Sequence, residues 1–131
     1  MKHVHAVDFD ATLAVHTGGK ALGPPVPEML DQVKRWLADG DEVRIFTARV
    51  SSSHEHVEDM RREIEDWCEK YLGQRLEVTA EKKSDIYDIH DDRARQVIPN
   101  KGIVIGPPRE VFESGSTVLT GKPGGHAGYG Q

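Results

Sequence analysis

A short apolar run that breaks off into acids sets the first constraint on this fold. Val4–His5–Ala6–Val7 is followed at once by Asp8–Phe9–Asp10–Ala11–Thr12–Leu13. A short apolar stretch with such a stop reads as a buried strand of a parallel sheet. The strand delivers Asp8 at its C-terminal edge, where open parallel sheets hold their ligands. Asp8 and Asp10 then reach one crevice. Two carboxylates about 4 Å apart repel by roughly 4 kcal/mol at an effective dielectric near 20, so the pair calls for a cation. Hard oxygen ligands with open positions suit Mg²⁺. Taken alone, the same residues also suit a turn in which Asp10 or Thr12 caps local backbone.

The rest of the chain alternates helical and extended patterns. Gly18–Gly19 between two short apolar pieces predicts a flap carrying His16 and Lys20, read as exposed loop residues. Pro27 opens a helix that runs to about Asp39 and stops at Gly40, with Met29, Leu30, Val33, Trp36 and Leu37 on its apolar face. Glu42–Phe46 is a second strand, ending in Thr47–Ala48–Arg49. Thr47 either offers its hydroxyl at a ligand-binding edge or caps the following turn. Arg49 supplies a planar fork for phosphate or forms a structural ion pair. A long helix is expected from about Ser53 to Leu72, with Gly73 as its stop and Val57, Met60, Ile64, Trp67, Cys68 and Tyr71 facing inward. Leu76–Thr79 and Ile86–His90 read as strands, the latter ending in Asp91–Asp92, and Gly102–Gly106 as a fifth.

Length bounds the organisation. The 131 residues suit one domain over 1–113 and a Gly-rich, aperiodic tail over 114–131, read as flexible. A net charge of −5 argues against a general nucleic-acid surface. Cys68 is the single cysteine, so no disulfide forms within the chain. That suits a reducing, cytoplasmic setting. Asp8 and Asp10 interrupt the N-terminal apolar run, so neither a signal peptide nor a membrane span is expected.

Asp8, Asp10 and Thr12 match Asp-x-Asp-x-Thr, and in this the chain resembles the haloacid dehalogenase-like (HAD) hydrolase superfamily. Thr47 matches its second motif, and Lys82 its third, with Lys83 the alternative; Asp91–Asp92 match the acidic fourth motif. The resemblance spans about Val4 to Gly102, and departs at Ala11, where members usually carry Gly. It implies a Rossmann-like three-layer α/β/α sandwich with a mainly parallel five-stranded sheet. The gaps Leu13–Val43 and Arg49–Lys82 are too short for a cap domain, so the site is expected to be open.

The resemblance also implies a Mg²⁺-dependent phosphomonoester phosphatase. Asp8 is then the nucleophile and Asp10 the general acid and base, while Thr47 and Lys82 stabilise the phosphoryl charge. Thr12, Arg49 and Lys83 contact substrate. Mg²⁺ is held by Asp8, the Asp10 carbonyl, Asp91 and Asp92. An open site admits a small or macromolecular phosphorylated substrate, or is closed by a second copy or another partner subunit. A non-catalytic HAD-like binding module is the rival reading, and a metal-dependent nuclease a third. A response-regulator receiver places its acidic pair first, whereas here that pair comes last.

Overall fold

The computed structural model describes residues 2–106, 110–112 and 118–120. The chain divides into two compact units between Asp91 and Asp92. In the first unit, β1 (Val4–Val7), β2 (Glu42–Phe46), β3 (Glu77–Thr79) and β4 (Asp88–His90) form one sheet in the order β3-β2-β1-β4. All three neighbouring pairs are parallel. α1 (Pro27–Ala38) connects β1 to β2, and α2 (Val57–Leu72) connects β2 to β3.

Local chemistry explains these bounds. Pro27 starts α1 with its φ already set, Glu28 and Arg35 lie at the ends where the helix dipole favours them, and Gly40 follows at φ 91°. α2 ends at Gly73, whose φ of 80° lets the last turn close without a Cβ clash. It begins four residues later than the expected Ser53. The serines bond locally instead: Ser51 Oγ lies 2.9 Å from Ser53 Oγ, and the His54 N–H donates to the Ser51 carbonyl. Short hydroxyl side chains compete with helix in this way.

Both crossovers step in one direction, from β1 to β2 to β3. Right-handed connections therefore place both helices on the same face of the sheet. The core reflects this. Val33 of α1 and Ile64, Trp67 and Cys68 of α2 share one cluster with Val7, Val43, Ile45 and Val78. The register pairs Val7 with Ile45 and Ile45 with Val78, so these residues line one face. Burial pushes the Cys68 thiol up to about 12, as befits a packed core residue.

The opposite face carries Ala6, Arg44 and Glu42, and there the expectation of a three-layer sandwich is not met among the described residues. The link from β3 to β4 is residues 80–87, with no helix. Eight extended residues reach roughly 26 Å, enough to cross three strand spacings of about 4.8 Å each. Asp85 in this link grips Arg44 at 2.9 and 2.6 Å, and Glu42 accepts a third bond at 2.7 Å. These bonds raise the Arg44 pKa and lower that of Asp85.

The expected fifth strand does not join the sheet. In the second unit, β5 (Gln96–Ile98) pairs antiparallel with β6 (Ile103–Ile105) as a separate hairpin. Asn100 at φ 63° and Gly102 at φ 69° make its tight turn. A parallel fifth strand needs a crossover of about a dozen residues, and the chain after His90 uses that length for β5. β7 (Glu110–Phe112) pairs antiparallel with β8 (Val118–Thr120), which lies within the expected tail. The rest of that tail, and Pro107–Pro108, lie outside the described residues.

Candidate active site

Phe9 separates the two aspartates and turns them to account. Its ring is fully buried, edge-on to Trp67 at 4.9 Å between centroids. Its carbonyl accepts from the N–H groups of Thr12, Leu13 and Ala14, at 3.3, 3.0 and 2.8 Å. The turn that follows β1 is thus pinned to the core, and Asp8 and Asp10 flank the pin. Ala11 takes φ 65° in this turn, at the position where the HAD motif usually has Gly.

The Asp8 N–H donates to the His90 carbonyl at 2.8 Å, which carries the β1–β4 ladder one step beyond the strands. Asp8 therefore lies beside Asp91. Carboxylate oxygens of the two come within 4.8 Å of each other. At that distance two such charges repel by about 3–4 kcal/mol at an effective dielectric of 20, which a hard cation offsets. Asp92 is the adjoining residue and opens the second unit. The donors are all carboxylate oxygens, a set that fits Mg²⁺. The Thr12 hydroxyl donates to Asp8 at 3.4 Å.

Asp10 is engaged differently. Its two oxygens accept from Arg49 Nε at 2.6 Å and Nη2 at 2.8 Å. The same guanidinium donates to the carbonyls of Lys20 at 2.7 Å and Gly19 at 3.1 Å, both in the flap. Sequence reasoning left Arg49 between phosphate fork and ion pair; here it makes the ion pair. His16 and Lys20 are exposed. At the flap's root, Trp67 Nε1 donates to the Gly23 carbonyl at 2.9 Å. A Cβ on Gly23 would stand 2.0 Å from the Val15 carbonyl oxygen, so only Gly fits there.

Thr47 ends β2 next to this edge and is 4% exposed. Its Oγ1 accepts from the Arg49 N–H at 3.2 Å, the capping role weighed from sequence. Lys82 and Lys83 both lie in the 80–87 link and are exposed. Lys83 Nζ is 3.9 Å from Glu77 on the Arg44 face, whereas Lys82 makes no ion pair among the described residues. The structure thus brings Asp8, Thr12 and Asp91 together, joins Asp10 to Arg49, and leaves Lys82 on an exposed link.

No protein-family model and no curated protein sequence matches this chain. A solved structure, the conserved protein coded by locus from Bacteroides thetaiotaomicron, resembles it at a TM-score of 0.52 and 18% identity. The match covers 72% of this chain and 78% of that one. It supports the α/β fold with its mainly parallel sheet. No described helix is long and apolar enough to cross a membrane.

Proposed function

We propose that this chain is a Mg²⁺-dependent phosphohydrolase of the HAD-like kind. The observation that carries the reading is the meeting of Asp8 and Asp91 at the C-terminal ends of adjacent parallel strands. In the reaction, an Asp8 oxygen attacks phosphorus in line and the bond to the leaving oxygen breaks, giving an aspartyl-phosphate. Asp10 gives its proton to that leaving oxygen. It then takes a proton from the water that attacks the phosphoryl group and frees Asp8, work of about 10²–10⁴ in rate. Asp8, the Asp10 carbonyl, Asp91 and Asp92 would hold Mg²⁺, whose charge lets one anion approach another. Thr47 and Lys82 stabilise the phosphoryl oxygens. Thr12 and Lys83 are the remaining substrate contacts of this reading.

The Arg49 clamp gives this scheme a trigger. A substrate phosphate is a stronger bidentate acceptor for a guanidinium than a single carboxylate. Its arrival draws Arg49 away, and Asp10 then takes up from solvent the proton that it gives to the leaving oxygen. A non-catalytic binding module remains the second reading, favoured by the occupation of both Asp10 oxygens.

The test is hydrolysis of an aryl phosphate with and without Mg²⁺. Native protein should turn over only with Mg²⁺, and Asp8→Asn should lose at least about 10³ in kcat, in line with losing a covalent nucleophile. Mg²⁺-independent turnover, or turnover that survives Asp8→Asn, would reject the mechanism. No turnover across a panel of phosphomonoesters, with phosphate binding retained, would select the binding module.

A further inference from the structure

A second group of ligand-type side chains lies on the helix-covered face, away from the Asp8 turn. His5 is a polar residue in the middle of the core strand, only 4% exposed. Its Nδ1 lies 2.6 Å from Asp88 Oδ1, and its Nε2 lies 2.9 Å from Asp41 Oδ2. Asp41 is itself held by the His3 N–H at 3.1 Å. In β4, His90 sits two residues after Asp88 and therefore on the same face. Its Nε2 is 3.2 Å from Asp88 Oδ2, yet it is buried and makes no hydrogen bond.

The chemistry of these atoms is unbalanced without a cation. A neutral imidazole has one donor nitrogen and one acceptor nitrogen, and an ionised carboxylate only accepts. With Nε2–H donated to Asp41, the Nδ1 lone pair faces the Asp88 carboxylate. An extra proton on His5 would settle that contact and still leave His90 Nε2 beside Asp88 without a hydrogen bond. One metal ion settles both. His5, Asp88 and His90 each offer a ligand atom, all within 4.8 Å of one another. Two imidazoles and a carboxylate form a borderline donor set that prefers Zn²⁺ and similar first-row ions to Mg²⁺.

The surroundings fit the same reading. A metal-bound histidine ordinarily donates its other ring N–H to a carboxylate, which fixes the ring and its tautomer, and Asp41 stands in that place. Trp36 stacks on His5 at 3.9 Å and 12°, and lies 4.7 Å from the His90 ring. The His90 and Asp88 side chains are 31% and 37% exposed, which leaves an entry path. Bonds of 2.0–2.1 Å in a tetrahedral site separate ligand atoms by about 3.3 Å. Asp88 Oδ2 and His90 Nε2, 3.2 Å apart, have nearly this spacing, and His5 Nδ1 and Asp88 Oδ1, 2.6 Å apart, would have to separate by about 0.7 Å.

We propose that His5 Nδ1, Asp88 and His90 Nε2 form a transition-metal site of the Zn²⁺ class, with Asp41 orienting His5 and Trp36 as its wall. The test uses the full, metal-stripped chain without an affinity tag. Zn²⁺ is titrated calorimetrically, and Co²⁺ by tryptophan fluorescence and visible absorption, both in a large excess of Mg²⁺ that keeps the Asp8–Asp91 carboxylates occupied. The expected result is one ion per chain, quenching of Trp36, a cobalt band of N/O ligation, and a higher melting temperature with Zn²⁺. His90→Ala and His90→Gln should each weaken Zn²⁺ binding at least about 10-fold and remove the thermal shift, while Asp8→Asn should leave both unchanged. The proposal fails if native protein binds neither ion. It fails equally if the His90 variants bind as well as native, or if Asp8→Asn abolishes binding. The Gln variant keeps a polar side chain at a half-exposed position, so a fold defect in His90→Ala does not blur the outcome.

Discussion

Ala11 carries a cost that one substitution removes. An L-residue at φ 65° brings its Cβ against the following carbonyl, worth roughly 1–2 kcal/mol. Ala11→Gly should relieve most of it, less the entropy of a freer unfolded chain. A net gain of about 1 kcal/mol is expected, read as a higher urea midpoint at unchanged slope. Cys68 makes a complementary residue-scale prediction. With burial holding its thiol near 12, it should resist a thiol reagent at pH 8 in the folded protein and react at once in urea. The departure from the Asp-x-Asp-Gly-Thr form at Ala11 was visible in the sequence; that the turn keeps the left-handed angle regardless was not.

At the scale of elements, the 80–87 link does the work of a crossover helix with one ion pair. The Arg44 guanidinium holds the Asp85 carboxyl below its ordinary 3.8, and Asp41 and Glu42 are lowered likewise, by His5 and Arg44. Groups depressed in the fold bind fewer protons there than when unfolded. Their stabilisation is therefore complete above the unfolded values and lost as pH falls through the folded ones. Melting temperature should stay level from pH 7 to about 5 and drop below about 4. Asp85→Asn should melt lower at pH 7 and show a shallower acid decline. An unchanged acid profile would mean that the link is not held this way.

The element scale also shows what the sequence could convey. β1, α1 and β2 carry their own stops (Asp8, Gly40 and Thr47) and lie where the pattern put them. α2 carries a clear end at Gly73 but an ambiguous start, because Ser51–Ser53 bond one another rather than the helix. Ile103–Ile105 was legible as a strand but not as half of a hairpin. An apolar triplet does not specify its partner; the left-handed turn between Ile98 and Ile103 does. For the site, the motif spacing gave Asp8 and Asp91 together. The Asp10–Arg49 pair was half legible, since a fork two residues past a strand end suits phosphate and carboxylate alike. The grouping of His5 with Asp88 and His90 depends on a β1–β4 register that no local pattern encodes.

Across the first unit as a whole, one guanidinium joins segments far apart in sequence. Arg49 reaches Asp10 in the turn after β1, Gly19 and Lys20 in the flap, and Met60 Sδ of α2 at 3.6 Å. Trp67 of α2 holds the same flap by its root at Gly23. The flap is thus mounted at two points, one fixed and one that an anion can claim. Its tip contains Lys20, a trypsin target whose carbonyl is the very atom that Arg49 binds. Cleavage of the Lys20–Ala21 bond therefore becomes a gauge of the clamp: slow in the native chain, fast in Arg49→Ala, and accelerated in native protein by an oxyanion that occupies the guanidinium. Equal rates in all three would mean that the flap is held by its root alone.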